Sequence, residues 1–257
     1  MIDDGWVEFR EGRHVTARGT ADPVDPERLL QLAGTRNLRD VGGYPAGPGR
    51  RTRWRTLLRT DALDQLPELS QAALVELGLR LVVDLRWDHE IDAHPSVFAG
   101  SVSIQYRSVP LMPDHAVPQG IAATYRHMFD TRAPALATVA RLVAEPDGLP
   151  AVIGCAAGID RTGVTVALLL SAVGVPPEVA AADYALSVES FAGDGAMSGL
   201  GDWRGGPVTL DCRPEYMLEA LDHLDRRHGG ARTLLRRQGL TDGQLETLTE
   251  RLTESDP

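Results

Sequence analysis

The chain has 257 residues, of which 43% are hydrophobic and 24% charged, and its formal net charge is −10. The apolar fraction excludes a disordered chain, and the length fits one domain with a full core, since domains usually have about 100–200 residues. The acidic charge argues against nucleic acid and against an anionic membrane surface as partners. All 26 basic residues are arginine. A Walker-type P-loop, a Schiff-base enzyme and a protein kinase are therefore excluded, because each needs a lysine.

Short apolar runs alternate with helical patterns along the chain. Residues 1–30 are polar and acidic and form an N-terminal extension, and the Gly-, Pro- and Arg-rich stretch 37–55 predicts an irregular loop. Apolar or alternating runs predict strands at 56–59, 79–85, 103–109 and 150–154. Helical spacing predicts helices at 69–77, 121–129, 134–144, 162–173, 177–190, 214–227, 231–238 and 241–252. This order predicts an α/β fold, a single domain over 1–257 with a mostly parallel central sheet flanked by helices.

The stretch 191–208 is rich in glycine and predicts a surface loop, a candidate lid. Its Asp202 is a candidate acid that such a lid would bring over an active site, although a solvated loop residue is the simpler interpretation. The two cysteines, Cys155 and Cys212, form no disulfide framework and no Cys-x-x-Cys metal site, and Cys212 is interpreted as structural.

No basic and apolar leader opens the chain, and its longest apolar run, 164–175, is shorter than the ~20 residues of a membrane helix. We therefore expect a cytoplasmic protein with no membrane partner. The seven histidines show no ligand spacing such as His-x-x-x-His, so the sequence predicts no metal site, and nothing in it calls for a cofactor.

One loop carries the chemistry. Cys155 ends a predicted strand, Arg161 begins a predicted helix, and Gly158 lies midway between them. In this layout a helix N-terminus faces an anionic ligand. The backbone N–H groups can turn inward as an anion nest, Gly158 permits the positive φ that a nest usually needs, and Arg161 can clamp two phosphate oxygens.

The same positive field favours a thiolate at Cys155, which would then attack a bound phosphate in line. The plainer alternative makes Cys155 a small buried hydrophobe and Arg161 a residue at a helix start. The surrounding loop favours the phosphate site.

Residues 155–163, Cys-Ala-Ala-Gly-Ile-Asp-Arg-Thr-Gly, resemble the signature loop of the cysteine-dependent protein tyrosine phosphatases. They are most similar to the bacterial tyrosine/serine phosphatase branch, some of whose members also act on phosphoinositides. Further motifs resemble landmarks of that branch in the same order, at 37–43, 59–63 and 83–86. The run 214–252 resembles its closing helices, so the resemblance covers roughly residues 30–253.

The resemblance implies a protein-tyrosine-phosphatase-like fold and a phosphomonoester hydrolase that works through a phosphocysteine intermediate on phosphotyrosine or phosphoserine proteins. Position by position, it makes Cys155 the nucleophile, Arg161 the phosphate clamp and Asp160 the general acid. Thr162 would donate its hydroxyl to the departing thiolate. The predicted substrate-binding residues are the rest of the loop and the end of a strand: Ala156, Ala157, Gly158, Ile159, Thr162, Gly163, Asp84 and Arg86. For Asp84 and Arg86 a structural ion pair is the equal alternative.

Two positions depart from the family pattern. Gly154 stands where the family has a histidine, which predicts a less stabilised thiolate, and Ile159 stands where the branch has a lysine. The loss of that cation predicts a substrate that is less charged or more apolar than a phosphoinositide.

Three other functions remain open. One is a small-molecule phosphatase for a nucleotide, a sugar phosphate or a biosynthetic intermediate, and another is an inactive phosphate-binding module. A sulfurtransferase is the third, but the run Asp160-Arg161-Thr162-Gly163 fits phosphoryl transfer better.

Overall fold

The computed structural model describes residues 25–112, 119–191 and 211–256 of the chain. Most of the N-terminal extension and nearly all of the candidate lid, Asp202 included, lie outside the described residues. Within those three ranges, no helix combines the length and apolar character that a membrane crossing requires.

A five-stranded sheet forms the centre of the fold. Its strands, from one edge to the other, are β1 (Arg39–Asp40), β3 (Leu57–Thr60), β6 (Ala151–Gly154), β4 (Leu81–Asp84) and β5 (Gln105–Ser108). The last four are parallel and β1 is antiparallel. The predicted α/β fold with a mostly parallel sheet is therefore confirmed. A separate antiparallel ribbon pairs β2 (Arg50–Thr52) with β7 (Thr253–Ser255).

Helices cover the sheet on both faces. The α-helices are α1 (Glu68–Glu76), α2 (Asp88–Ala93), α3 (Ile121–Thr131), α4 (Ala133–Ala144), α5 (Asp160–Ala172), α6 (Pro177–Ala185), α7 (Pro214–His228), α8 (Ala231–Arg237) and α9 (Asp242–Leu252). Two short 3₁₀ helices occupy Pro26–Arg28 and Leu186–Phe191.

The alternation of side chains along each strand divides the core in two. Ala151 and Ile153 of β6 face a large cluster that includes residues of α3 to α9, whereas Val152 faces a smaller cluster that includes Leu74 of α1. Successive strand residues point to opposite faces, so a sheet buried on both faces reads as the continuous apolar runs seen in the sequence.

The strand register sets the position of the site. Thr60, Gly154 and Asp84 are level with one another at the carboxyl ends of three parallel strands. Cys155 follows Gly154 directly, so its loop begins at the edge where ligands of open α/β sheets bind.

The structure differs from the prediction in three local features. The stretch 37–55 is not one irregular loop, because β1 and β2 lie within it and pair with β3 and with β7 at the far end of the chain. The predicted helix 177–190 changes to 3₁₀ geometry after Ala185. Helix α2 was not predicted. It is only six residues long and none of its residues is buried, so it carries no apolar pattern.

Candidate active site

Hydrogen bonds fix the peptide planes of the loop after β6. Four successive carbonyl oxygens accept hydrogen bonds: Ala156 O from Ala62 N (3.2 Å), Ala157 O from Asn37 Nδ2 (2.9 Å), Gly158 O from Arg59 Nη2 (2.8 Å) and Ile159 O from Gly163 N (2.7 Å). In a trans peptide the N–H of the next residue points away from the carbonyl. Each bond therefore directs the N–H of the following residue, 157 to 160, away from that carbonyl's partner, and convergence of these N–H groups into an anion nest stays a prediction.

Gly158 has no room for a side chain. Its φ is +69°, and a Cβ there would lie 2.4 Å from the Thr60 carbonyl oxygen. Glycine adopts positive φ without steric cost, and here it also lets the loop pack directly on the end of β3. The predicted role of Gly158 in shaping the loop therefore has a definite structural basis.

Gly154 is similarly restricted. A Cβ would lie 2.8 Å from Thr60 Cγ2 and 3.0 Å from the Asp61 carbonyl oxygen. Thr60 at the end of β3 and the residue after it thus occupy the space that a side chain at position 154 would need, so this departure is built into the packing of β3 against β6.

Arg161 lies in the first turn of α5 and is held by Glu90 of α2. Its Nη1 donates to Glu90 Oε2 at 2.5 Å and its Nη2 to Glu90 Oε1 at 2.9 Å. The Trp87 backbone N–H also donates to Glu90 Oε2 at 2.8 Å, and the guanidinium lies 4.9 Å from the centre of the Trp87 ring. The Arg161 side chain is therefore fixed in a single orientation before any ligand binds.

Both partners of this pair remain charged. Burial opposes the charge of Arg161, but the hydrogen bond to Glu90 and the field of Cys155 outweigh it and raise the pKa of the guanidinium. Burial likewise opposes the Glu90 carboxylate, but the bond from Arg161 holds the pKa of Glu90 below its ordinary value. The loop thus contains a permanent cation beside the cysteine.

The Asp160 carboxylate is tied to two tyrosines. Tyr125 of α3 donates its hydroxyl to Asp160 Oδ1 at 2.6 Å, and the Tyr125 and Tyr184 hydroxyls are 2.8 Å apart. Burial, followed by the charge of Asp160, raises the pKa of Tyr125 well above its ordinary value. Tyr125 is therefore a neutral donor at any working pH. Asp160 itself is half-buried.

A buried charge cluster supports the loop from behind. Asp183 of α6 accepts from Arg59 Nη1 at 2.5 Å and from Arg39 Nε at 3.3 Å, and all three side chains are at most 1% exposed. Burial of Asp183 opposes its charge, but the two arginines dominate and lower the pKa of Asp183 to about 2. Because Arg59 also holds the Gly158 carbonyl, this cluster connects α6 to the loop.

Motif residues upstream of the loop complete this support. Asp61 accepts the backbone N–H groups of Arg36 (3.1 Å) and Asn37 (3.2 Å), and Asn37 in turn donates to the Ala157 carbonyl. The motifs at 37–43 and 59–63 are thus brought against the loop, although they lie about a hundred residues before it.

Asp84 and Arg86 form a buried ion pair beside the loop. Arg86 Nη2 donates to Asp84 Oδ2 at 2.7 Å and its Nη1 to the His94 carbonyl at 2.9 Å, and Tyr106 donates to Asp84 Oδ2 at 2.9 Å. Asp84 and Cys155 line the same small cavity. The structural ion pair left open by the sequence is present, and contact of either residue with substrate stays a prediction.

The remaining loop residues differ in exposure. Ala156 and Ala157 are half-buried at the mouth, while Ile159 is 6% exposed and packs in the larger core. Ile159 therefore fills a packing position, and its side chain gives no support to the predicted preference for an apolar substrate. Thr162 Oγ1 is buried and has no hydrogen-bond partner among the described residues. Gly163 lies against the Tyr184 ring.

The two cysteines differ in their surroundings. Cys155 is 3% exposed at the base of the loop, next to Arg161. Burial, and then the nearby Asp160 charge, raise the pKa of Cys212 to about 11. Cys212 is therefore a protonated thiol at neutral pH, which is consistent with a structural role.

Glu90, Tyr125 and Asp183 were not among the predicted site residues. Glu90 and Tyr125 bond directly to Arg161 and Asp160, whereas Asp183 contacts the loop only through Arg59. Single polar residues on helices distant in sequence carry no motif. Glu90 also accepts the Trp87 backbone N–H, but the indole has no acceptor for the other half of a capping box, so this bond leaves no signal in the sequence.

The class of protein that this site fits is a cysteine-dependent phosphatase, because Cys155 directly follows a parallel strand and lies beside the fixed cation of Arg161. The chain belongs to the tyrosine phosphatase family, whose model matches residues 30–254.

Two sequence relatives agree with this assignment. The chain is 27% identical to a tyrosine-protein phosphatase of Nostoc commune over 216 residues, 76% of this chain and 73% of that protein. It is 29% identical to the triple specificity protein phosphatase PtpB of Mycobacterium tuberculosis over 199 residues, 63% of this chain and 70% of that protein. A crystal structure of P. aeruginosa TpbA in complex with pTyr matches 55% of this chain and 75% of that chain, at 18% identity and a TM-score of 0.31.

Proposed function

We propose that this phosphatase hydrolyses phosphotyrosine and phosphoserine proteins through a phosphocysteine intermediate on Cys155. The observation that carries the proposal is the placement of Cys155 directly after β6, with Arg161 beside it in the first turn of α5 and the carbonyls of residues 156–159 all held by hydrogen bonds. Both relatives described above are named protein phosphatases, which supports a protein substrate.

In the first step the Cys155 thiolate attacks phosphorus and the bond from phosphorus to the leaving oxygen breaks. The loop N–H groups and the Arg161 guanidinium hold the three equatorial oxygens, where the transition-state charge is spread. Asp160 gives its proton to the leaving oxygen, so an alcohol departs and a cysteinyl phosphate remains.

In the second step water attacks the cysteinyl phosphate. The Asp160 carboxylate takes a proton from this water, the S–P bond breaks, and inorganic phosphate and the thiolate are released. The Thr162 hydroxyl, which lacks a partner among the described residues, is available to donate to the departing sulfur. Asp160 is then protonated and Cys155 is free for the next cycle.

The test is phosphate release from p-nitrophenyl phosphate by the wild type, by Cys155→Ser and by Cys212→Ser as the matched control. We expect turnover to disappear in Cys155→Ser and to persist in Cys212→Ser, whose thiol lies outside the loop. Rapid quenching should trap labelled phosphate on Cys155. Binding of phosphate or vanadate without turnover of any substrate would instead identify an inactive phosphate-binding module.

The substrate class needs a second measurement. Phosphotyrosine and phosphoserine peptides should give a higher kcat/KM than nucleotides, sugar phosphates and other phosphorylated metabolites under the same conditions. The reverse order would reject protein substrates and retain the phosphocysteine mechanism.

A further inference from the structure

A cluster outside the catalytic loop joins the C-terminal ends of two helices. Asp130 lies in the last turn of α3, and His223 and His228 lie on α7. The His223 Nε2 atom is 2.9 Å and the His228 Nε2 atom 2.7 Å from the same oxygen, Asp130 Oδ1. All three ligand atoms lie within 4.8 Å of one another.

We infer that Asp130, His223 and His228 form a zinc site that connects α3 to α7. Two imidazole nitrogens and a carboxylate oxygen are a usual three-residue ligand set for Zn²⁺, and they leave a fourth position for water. Imidazole ligands disfavour Mg²⁺ and Ca²⁺, which prefer oxygen. No motif predicts this site, because the two histidines are five residues apart, not four as in His-x-x-x-His, and the carboxylate is 93 residues away from the nearer one.

The distances suit an ion of this size. Ligand atoms at the Zn–N and Zn–O lengths of about 2.0–2.2 Å are about 3.3 Å apart in a tetrahedron. Rotation of the side chains alone can therefore open the two contacts to Asp130 by about half an ångström. The histidine side chains are 24% and 17% exposed and that of Asp130 is 39% exposed, so an ion can enter from solvent.

The backbone also favours a cation here. Arg126 Nη1 contacts Glu219 Oε2 at 3.1 Å one helical turn before Asp130 meets His223, so α3 and α7 run in the same direction. α3 ends at Thr131 and α7 at His228. Two helix C-termini, each with a partial negative charge, thus converge at the cluster.

The test must exclude zinc bound by the catalytic thiol. We would therefore titrate Zn²⁺ into the chelator-treated full chain carrying Cys155→Ser, by calorimetry and by thermal melting. We expect one equivalent to bind and the melting temperature to rise with Zn²⁺. In the same background, His223→Gln and His228→Gln should each weaken binding more than about tenfold. His94→Gln is the matched control, because His94 is an exposed histidine paired with a single carboxylate, Asp64, and it should bind like its parent.

Co²⁺ titration gives a second readout, since its visible spectrum distinguishes nitrogen and oxygen ligands from thiolate. Asp130→Asn is a further variant for the case in which a histidine variant does not fold. Its amide oxygen can still accept from both imidazoles. The loss of the negative charge should nevertheless weaken Zn²⁺ binding by more than about tenfold. The inference is overturned if the Cys155→Ser chain binds no Zn²⁺, or if the variants at 130, 223 and 228 bind as tightly as His94→Gln. Variants that melt earlier without any dependence on Zn²⁺ would also overturn it and leave a simple interhelical ion pair.

Discussion

Glu90 and Arg161, 71 residues apart in the chain, form a bidentate ion pair in which each guanidinium Nη donates to a different carboxylate oxygen. Because one carboxylate engages both Nη atoms, rotation of the planar guanidinium is restricted. Glu90 is thus a positioning residue for the proposed phosphate clamp.

Glu90→Gln should lower kcat/KM for p-nitrophenyl phosphate by roughly 10- to 100-fold, because the loss of one charge-assisted bond is worth about 1.5–3 kcal/mol. Steady-state kinetics checks this. Glu254→Gln, which removes the surface partner of Arg51, should leave kcat/KM unchanged, and an equal loss in both variants would contradict the positioning role.

Asp183→Asn should destabilise the fold by about 3–5 kcal/mol, since it leaves Arg39 and Arg59 buried without a counter-charge. Urea unfolding followed by circular dichroism measures this change. Asp222→Asn is the comparison, because Asp222 pairs with Arg226 on the surface, and there we expect less than about 1 kcal/mol. Retention of wild-type stability in Asp183→Asn would show that the cluster does not stabilise the fold.

Acid should weaken the same cluster. The pKa of Asp183 is lowered from 3.8 to about 2 by Arg39 and Arg59, which outweigh its burial. A carboxylate with a lowered folded-state pKa contributes its stabilisation in full above its unfolded pKa and loses it as pH falls through the folded value. The wild type should therefore lose about 2 kcal/mol between pH 4 and pH 2 through this group. Urea unfolding of Asp183→Asn, measured between pH 4 and pH 2, should not show this loss of stability. A pH dependence equal to that of the wild type would contradict this role of Asp183.

Gly158→Ala should abolish most activity, because it adds a Cβ 2.4 Å from a backbone oxygen at a φ of +69°. Gly49→Ala separates the effect of a strained φ from that of a steric clash, since Gly49 has a φ of +64° and open space around it. The control should lose only about 1 kcal/mol of stability from strained φ and keep its kcat. Similar kinetics for both variants would mean that the close packing on β3 does not shape the loop.

Tyr125→Phe tests the bond to Asp160. If this bond orients the proposed general acid, kcat should fall about tenfold for phenyl phosphate, a poor leaving group, and much less for p-nitrophenyl phosphate. Asp160→Asn should show the same selectivity with a larger loss, and the double variant should be no worse than Asp160→Asn alone. Tyr184→Phe, one hydroxyl further away, should have a smaller effect. Equal losses for both substrates would point to a general structural defect.

Local signals in the sequence were enough for the centre of the fold. β4 and β6 are short apolar runs bounded by polar residues and glycine, and α5 follows a loop whose Gly158 and Arg161 are typical of a phosphate site. These features depend on neighbours within about ten residues, so strand, loop and helix could be assigned without knowledge of the rest of the chain. The pairing of β2 with β7 could not be predicted in this way, because the two strands are about 200 residues apart in the chain.

The sequence by itself determined that an arginine, a cysteine and a carboxylate share one loop, since these residues are adjacent in the chain and belong to a recognisable motif. The tertiary structure alone decided what holds each of them: Glu90 for Arg161, Tyr125 for Asp160, and Arg59 with Asp183 for the loop backbone. The tertiary structure alone also places Asp130 beside His223 and His228. The physical reason is that hydrogen bonds and ion pairs require a separation of about 3 Å, and residues far apart in sequence reach that separation only when the helices and strands that carry them pack into one fold.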